Sequence, residues 1–138
     1  MNVKLTERMK GWIKLGCHLN VASKDGVPNV TVARDVKEVK DDEVIFALTK
    51  PEYSVIESAL KENPWVSFGV SKQGGIRACY QFKGKGKVMP EEDNVLLSVK
   101  LEELYCTKPG YEAGLRLDVK DFDELQEWEK ERWKDIPK

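Results

Sequence analysis

Apolar positions along this chain fall into several short periodic stretches. Leu5, Met9, Trp12 and Ile13 recur at i, i+4, i+7 and i+8, which predicts a helix over about 5–15 ending at Gly16. The period then drops to two. Leu19 and Val21 alternate with His18, Asn20 and Ala22, and Asp25-Gly26 marks a tight turn. Val30, Val32 and Val36 share one face of the next strand, opposite Asn29, Thr31, Ala33 and Asp35. After a turn at Asp41-Asp42, Val44, Phe46 and Leu48 alternate with Ile45, Ala47 and Thr49, so both faces are largely apolar. Such a strand is expected in the centre of a sheet or lining a barrel. Residues 17–49 thus read as three consecutive antiparallel strands.

Beyond Lys50-Pro51 the period returns to that of a helix. Val55, Ile56, Ala59 and Leu60 form one face, Ser54 to Glu57 has capping-box spacing, and Asn63-Pro64 ends the segment. A strand over 65–71, a Gly74-Gly75 turn and a long strand over 76–88 follow. Gly84 and Gly86 inside that strand predict a bend, a bulge or a close backbone approach. Pro90-Glu91-Glu92 reads as a helix start, with Val95, Leu96, Val99 and Leu104 as its apolar positions. A loop over 107–112, a strand carrying Leu115, Leu117 and Val119, and a charged helix over about 123–134 complete the chain. Trp128 and Trp133 project about 140° apart on that last helix, so they are expected to pack in different directions. Six short, mostly antiparallel strands with flanking helices predict a mainly β, α+β barrel occupying about 17–120. The chain contains no internal repeat or low-complexity linker, so 1–138 reads as a single domain.

Composition narrows the function classes. The 138 residues are 41% hydrophobic and 34% charged, yet the net charge is −1. Bulk attraction to nucleic acid or an anionic membrane is therefore not expected. No apolar run approaches the length of a membrane span, and the first residues lack an apolar leader, which points to the cytoplasm. The three cysteines, Cys17, Cys79 and Cys106, are too irregularly spaced for a disulfide framework or a zinc site. His18 is the only histidine, and as Cys17's neighbour on a strand it points to the opposite face, so the two do not form a nucleophile–base pair. No transition-metal site is expected, and no carboxylate pair suggests acid–base catalysis. The Lys83-Gly84-Lys85-Gly86-Lys87 run beside Tyr80 and Phe82 is read either as a single-strand nucleic-acid surface or as the solvent face of an edge strand, with the net charge favouring the latter.

Four strings, in order, resemble the pyridoxamine 5'-phosphate oxidase-like FMN-binding split barrels: D-G-V-P-N-V at 25–30, E-V-I-F-A-L-T at 43–49, K-E-N-P-W-V at 61–66 and Y-Q-F-K-G-K-G-K-V at 80–88. Together they cover about residues 15–90. The resemblance implies a six-stranded antiparallel split barrel and a homodimer with FMN at the subunit interface. It implies a flavin-dependent oxidoreductase or electron carrier whose substrate is open. By the same resemblance, backbone groups at Thr31, Val32 and Ala33 would lie along the flavin ring, and Arg34 would reach the phosphate or the ring edge. Leu48, Thr49 and Lys50 would flank the ribityl-phosphate arm, and Gln81 would offer a side-chain contact. Many family members start the middle helix with basic residues that grip the phosphate, whereas here Ser54-Val55-Ile56 retains only the serine. That departure keeps open the alternatives of a deazaflavin (F420), a haem, or no flavin at all, with the barrel serving as a small-ligand or protein-binding module.

Overall fold

The structure is a computed structural model, described here over residues 3–70, 80–108 and 110–133. Its frame is one seven-stranded antiparallel sheet in the order β2-β1-β5-β6-β7-β4-β3. The strands are β1 (Cys17–Ala22), β2 (Pro28–Ala33), β3 (Asp35–Val39), β4 (Glu43–Leu48), β5 (Trp65–Val70), β6 (Tyr80–Pro90) and β7 (Val95–Cys106). Helix α1 (Glu7–Ile13) precedes the sheet, α2 (Lys50–Ser54) and α3 (Glu57–Glu62) link β4 to β5, and α4 (Phe122–Arg132) follows it.

The connection between β2 and β3 dictates the shape. Only Arg34 separates these strands in the chain, yet they stand at opposite ends of the strand order. A flat sheet cannot satisfy both facts, so the sheet curls until its ends come together at Arg34. Leu19, Ala33, Val44, Phe46, Phe68, Phe82, Leu97 and Leu104 fill the interior, all fully buried. Phe68 sits at its centre, edge-on to Phe46 at 5.2 Å and stacked on Phe82 at 5.1 Å.

The alternation read from β1 and β4 matches the inward and outward residues of both strands. The strand read as continuous over 29–36 breaks at Arg34 into two, with opposite consequences for its valines. Val30 and Val32 point outward and are 50% and 38% exposed, whereas Val36 packs against the core. The expected helix after Pro90 is instead β7. Pro90 ends β6 and Glu91-Glu92 begin a hairpin turn, closed by the Glu91 N–H donating to the Asn94 carbonyl at 3.0 Å. β7 is hydrogen-bonded on both sides, to β6 and β4, and its apolar cluster on both faces mimics a helical stripe. The expected strand at Leu115–Val119 reduces to one bridge, Tyr105 to Arg116. The expected six strands become seven: one splits, one is gained and one is lost. The Gly74-Gly75 turn and the strand start at 76–79 lie outside the described residues.

The capping box also moves. Thr49 caps α2, accepting from the Glu52 N–H at 3.2 Å while its own N–H donates to the Glu52 carboxylate at 2.9 Å. The box expected at Ser54 is absent, because the helix breaks at Val55-Ile56 and α3 starts without a side-chain cap. The bulge expected from the interior glycines is present between Lys83 and Gly84. The lysines that follow face solvent from a central strand, β6, and not from an edge.

The terminal helices close one side of the barrel. Glu129 of α4, 7% exposed, accepts from the Thr6 hydroxyl at 2.9 Å and the Tyr80 hydroxyl at 2.7 Å. The Trp133 indole N–H donates to the Tyr80 oxygen at 2.6 Å. Burial, reinforced by Glu129, pushes the Tyr80 phenol above its ordinary range, so it stays a protonated donor. Trp128 and Trp133 both pack toward Tyr80, at 6.5 and 5.7 Å, and so do not part as expected from their spacing.

Candidate functional site

β2 ends the strand order and pairs only with β1, so alternate backbone groups along its other side are left unpaired by the sheet. Its outward side chains, Val30 and Val32, are exposed, which is unusual for valines on a strand and marks a surface suited to cover. Its inward side chains, Thr31 and Ala33, are buried. The Thr31 hydroxyl donates to the Glu52 carbonyl at 2.9 Å, fastening β2 to α2. Thr31 and Ala33 can therefore offer a ligand only their backbone.

Outward positions on the neighbouring strands continue this surface. Val30 lies in register with Asn20 on β1, Asn20 with Ser67 on β5, and Ser67 with Lys83 on β6. The Asn20 amide donates to the Ser67 carbonyl at 3.3 Å, and the Gln81 amide donates to the Ser67 hydroxyl at 3.1 Å. One strand position further, Val32 aligns with His18 and Gly69, so the floor there carries no side chain on β5. The surface is thus an apolar rim on β2, a bare patch at Gly69, and a half-buried polar row of Asn20, Ser67 and Gln81. At its far end a hollow of about 390 Å³ is bordered by Trp65, Lys83 and Glu103.

The residues expected at the phosphate separate around α2. Arg34, its side chain 78% exposed, reaches the Glu52 carboxylate at 3.4 Å. Lys50 and Ser54 line a different groove, between the α2–α3 segment and the β6–β7 hairpin. The Ser54 hydroxyl donates to the Pro51 carbonyl at 2.7 Å. Leu48 is fully buried and Thr49 is the α2 cap, so both position α2 and present no free side chain. Gln81 stands three strands from β2, roughly 14 Å across the sheet. Only a ligand lying across β1 and β5 could touch both.

The two described cysteines are not poised as nucleophiles. Burial pushes the Cys17 thiol up to about 12 and raises Cys106 as well, so neither is a ready thiolate. No cluster of metal-ligating side chains occurs among the described residues. Asn20, Ser67 and Gly69 were not singled out as site residues in the sequence. Ser67 and Gly69, small residues inside an apolar strand, were the available signal for an open surface.

No family model matches the chain. HupZ from Group A Streptococcus superposes with a TM-score of 0.62 at 15% identity, over 80% of this chain and 99% of that one. A pyridoxamine 5'-phosphate oxidase candidate of Lactobacillus delbrueckii gives 0.62 at 14%, over 75% and 94%. An FMN-binding protein of Syntrophomonas wolfei gives 0.53 at 14%, over 69% and 80%. The chain thus has a split-barrel fold. It belongs to one family with an uncharacterized protein of Methanocaldococcus jannaschii, to which it is 30% identical over 86% of this chain and 91% of the relative.

Proposed function

We propose that the protein binds FMN on the outer face of β2, β1, β5 and β6, and that a second copy covers that face in a homodimer. The observation that carries this is the free edge of β2, with Val30 and Val32 exposed beside the row of Asn20, Ser67 and Gln81. A planar ring with an apolar edge and a hydrogen-bonding edge matches such a surface. Backbone groups at Thr31, Val32 and Ala33 would meet one side of the ring, and Gln81 the other. Arg34 would turn from Glu52 to the phosphate. When bound, the isoalloxazine supplies hydride or single-electron chemistry, and the chain supplies orientation and a dry cover. The role is that of a flavin-dependent oxidoreductase or electron carrier in the cytoplasm.

A second reading is favoured by the phosphate end. Glu52 holds Arg34, Ser54 is bonded to Pro51, Val55 is exposed, and Ile56 is fully buried where the family's basic residues would stand. These contacts suit a ligand without a tightly held phosphate, such as F420 or haem, or a barrel without flavin. The visible spectrum of the purified protein, followed by FMN titration, separates the readings. Flavin bands or saturable quenching of FMN fluorescence support the first. A colourless protein that ignores FMN removes it.

A further inference from the structure

The groove at the mouth of the barrel is separate from the face just described. It has a volume of about 670 Å³ and runs between the α2–α3 segment and the β6–β7 hairpin. That size falls within the range of small-molecule sites. Its apolar surface comes from Leu60, Val88, Pro90 and Val95, with Gly86 leaving space that a side chain would take. A Cβ at Gly86 would stand 3.0 Å from Leu97 and 3.1 Å from Val66, so the floor joins the barrel core.

Three charged side chains line the groove, and two cancel. Lys61 is paired with Glu57 at 3.4 Å. Lys50 forms no ion pair with any described residue, so the groove carries one uncompensated positive charge. Tyr53 lies one helical turn from Lys50, on the same side of α2, and its hydroxyl has no hydrogen-bond partner among the described residues. Ser54 is adjacent on that side, and its oxygen can still accept. A cation and a hydroxyl donor with no partners among the described residues, at the rim of an apolar trough, complement a single anionic head on an apolar body.

We propose that the barrel mouth binds a small monocarboxylate with an apolar chain or ring. The carboxylate is held by Lys50 and Tyr53, and the apolar body lies along Leu60, Val88 and Val95. The site stands independently of the flavin reading, because Glu52, and not Lys50, faces β2 and Arg34.

Decanoate is the probe, with decanol as the same tail without charge and acetate as the same head without a tail. Titration calorimetry should show saturable 1:1 decanoate binding, with acetate undetectable. Lys50→Met should weaken decanoate roughly tenfold or more while leaving decanol unchanged, and Lys50→Arg should recover most of the loss. Backbone amide NMR shifts on adding decanoate should centre on Leu60, Val88 and Val95. Absence of saturable binding, equal affinity of wild type and Lys50→Met, or shifts centred on Val30 and Asn20 would each overturn the proposal. So would displacement of decanoate by FMN, since Lys50 would then serve the flavin phosphate.

Discussion

Gly84 is the position where one added methyl group should cost most. It sits at the bulge in the β6–β7 hairpin, and a Cβ built there would lie 2.1 Å from the Lys100 carbonyl oxygen and 2.7 Å from its carbon. Both atoms belong to the backbone of the paired strand, so no rotamer change can clear them. Relief requires the two longest strands to separate locally, breaking ladder hydrogen bonds that also align β7 with β4. Overpacking of this kind costs about 3 kcal/mol. For a chain of 138 residues that lowers Tm by about 10 °C. Gly86→Ala is the control, since its neighbours at 3.0–3.4 Å are the side-chain tips of Leu97, Val66 and Leu60, which can give way at a cost of about 1 kcal/mol. Gly11→Ala in α1, with nothing within 4 Å, should instead stabilise by roughly 0.5–1 kcal/mol. Urea unfolding followed by circular dichroism orders the three variants. A Gly84→Ala midpoint equal to that of Gly86→Ala would refute the reasoning.

Three further outcomes follow from named contacts. Arg34→Ala should weaken FMN at least tenfold while changing riboflavin little, because riboflavin lacks the phosphate; equal losses in parallel titrations would remove Arg34 from the phosphate site. Asp118 is mostly buried, which alone would raise its carboxyl, but the Arg116 guanidinium and the Leu104 N–H, each at 3.0 Å, outweigh burial and hold it below its ordinary value. Its contribution to stability is therefore complete above the unfolded aspartate pKa and is lost as pH falls through the lower folded one; Asp118→Asn should flatten the stability curve below about pH 4, and an unchanged slope would count against it. Cys17, buried and pushed up to about 12, should react with iodoacetamide at pH 8 only as fast as the protein unfolds, so rapid labelling of native protein by peptide mapping would contradict that burial.

Local chemistry carried most of the fold. The Asp41-Asp42 turn, the Asn63-Pro64 stop and the glycine-bearing bulge act within a few residues, and all appear where expected. The failures share a cause, which is that neighbours distant in sequence decide them. β7 resembles a helix until it is known that β4 and β6 cover both its sides. The break at Arg34 has no local signal, because it arises from closing the sheet. The T-x-x-E spacing at Thr49 and the S-x-x-E spacing at Ser54 are equivalent in sequence, and Pro51 in the first turn suits the former. At the site, the valines of β2 were legible as a face but not as an exposed one. The division of Arg34 from Lys50 by α2 depends on the Thr31–Glu52 bond, which joins residues far apart in the chain.

The one-residue join at Arg34 acts as a tether of fixed length. Ala33 and Asp35 can never stand more than about 7 Å apart, however the sheet breathes. Nothing larger than a water chain can therefore pass between the two ends of the sheet at that corner. With β3 held in register, lengthening the join by one residue would shift β2 by one position, turning Val30 and Val32 inward and Thr31 and Ala33 outward. Closure of the sheet accordingly fixes the backbone spacing around residue 34, whatever its side chain does for a ligand.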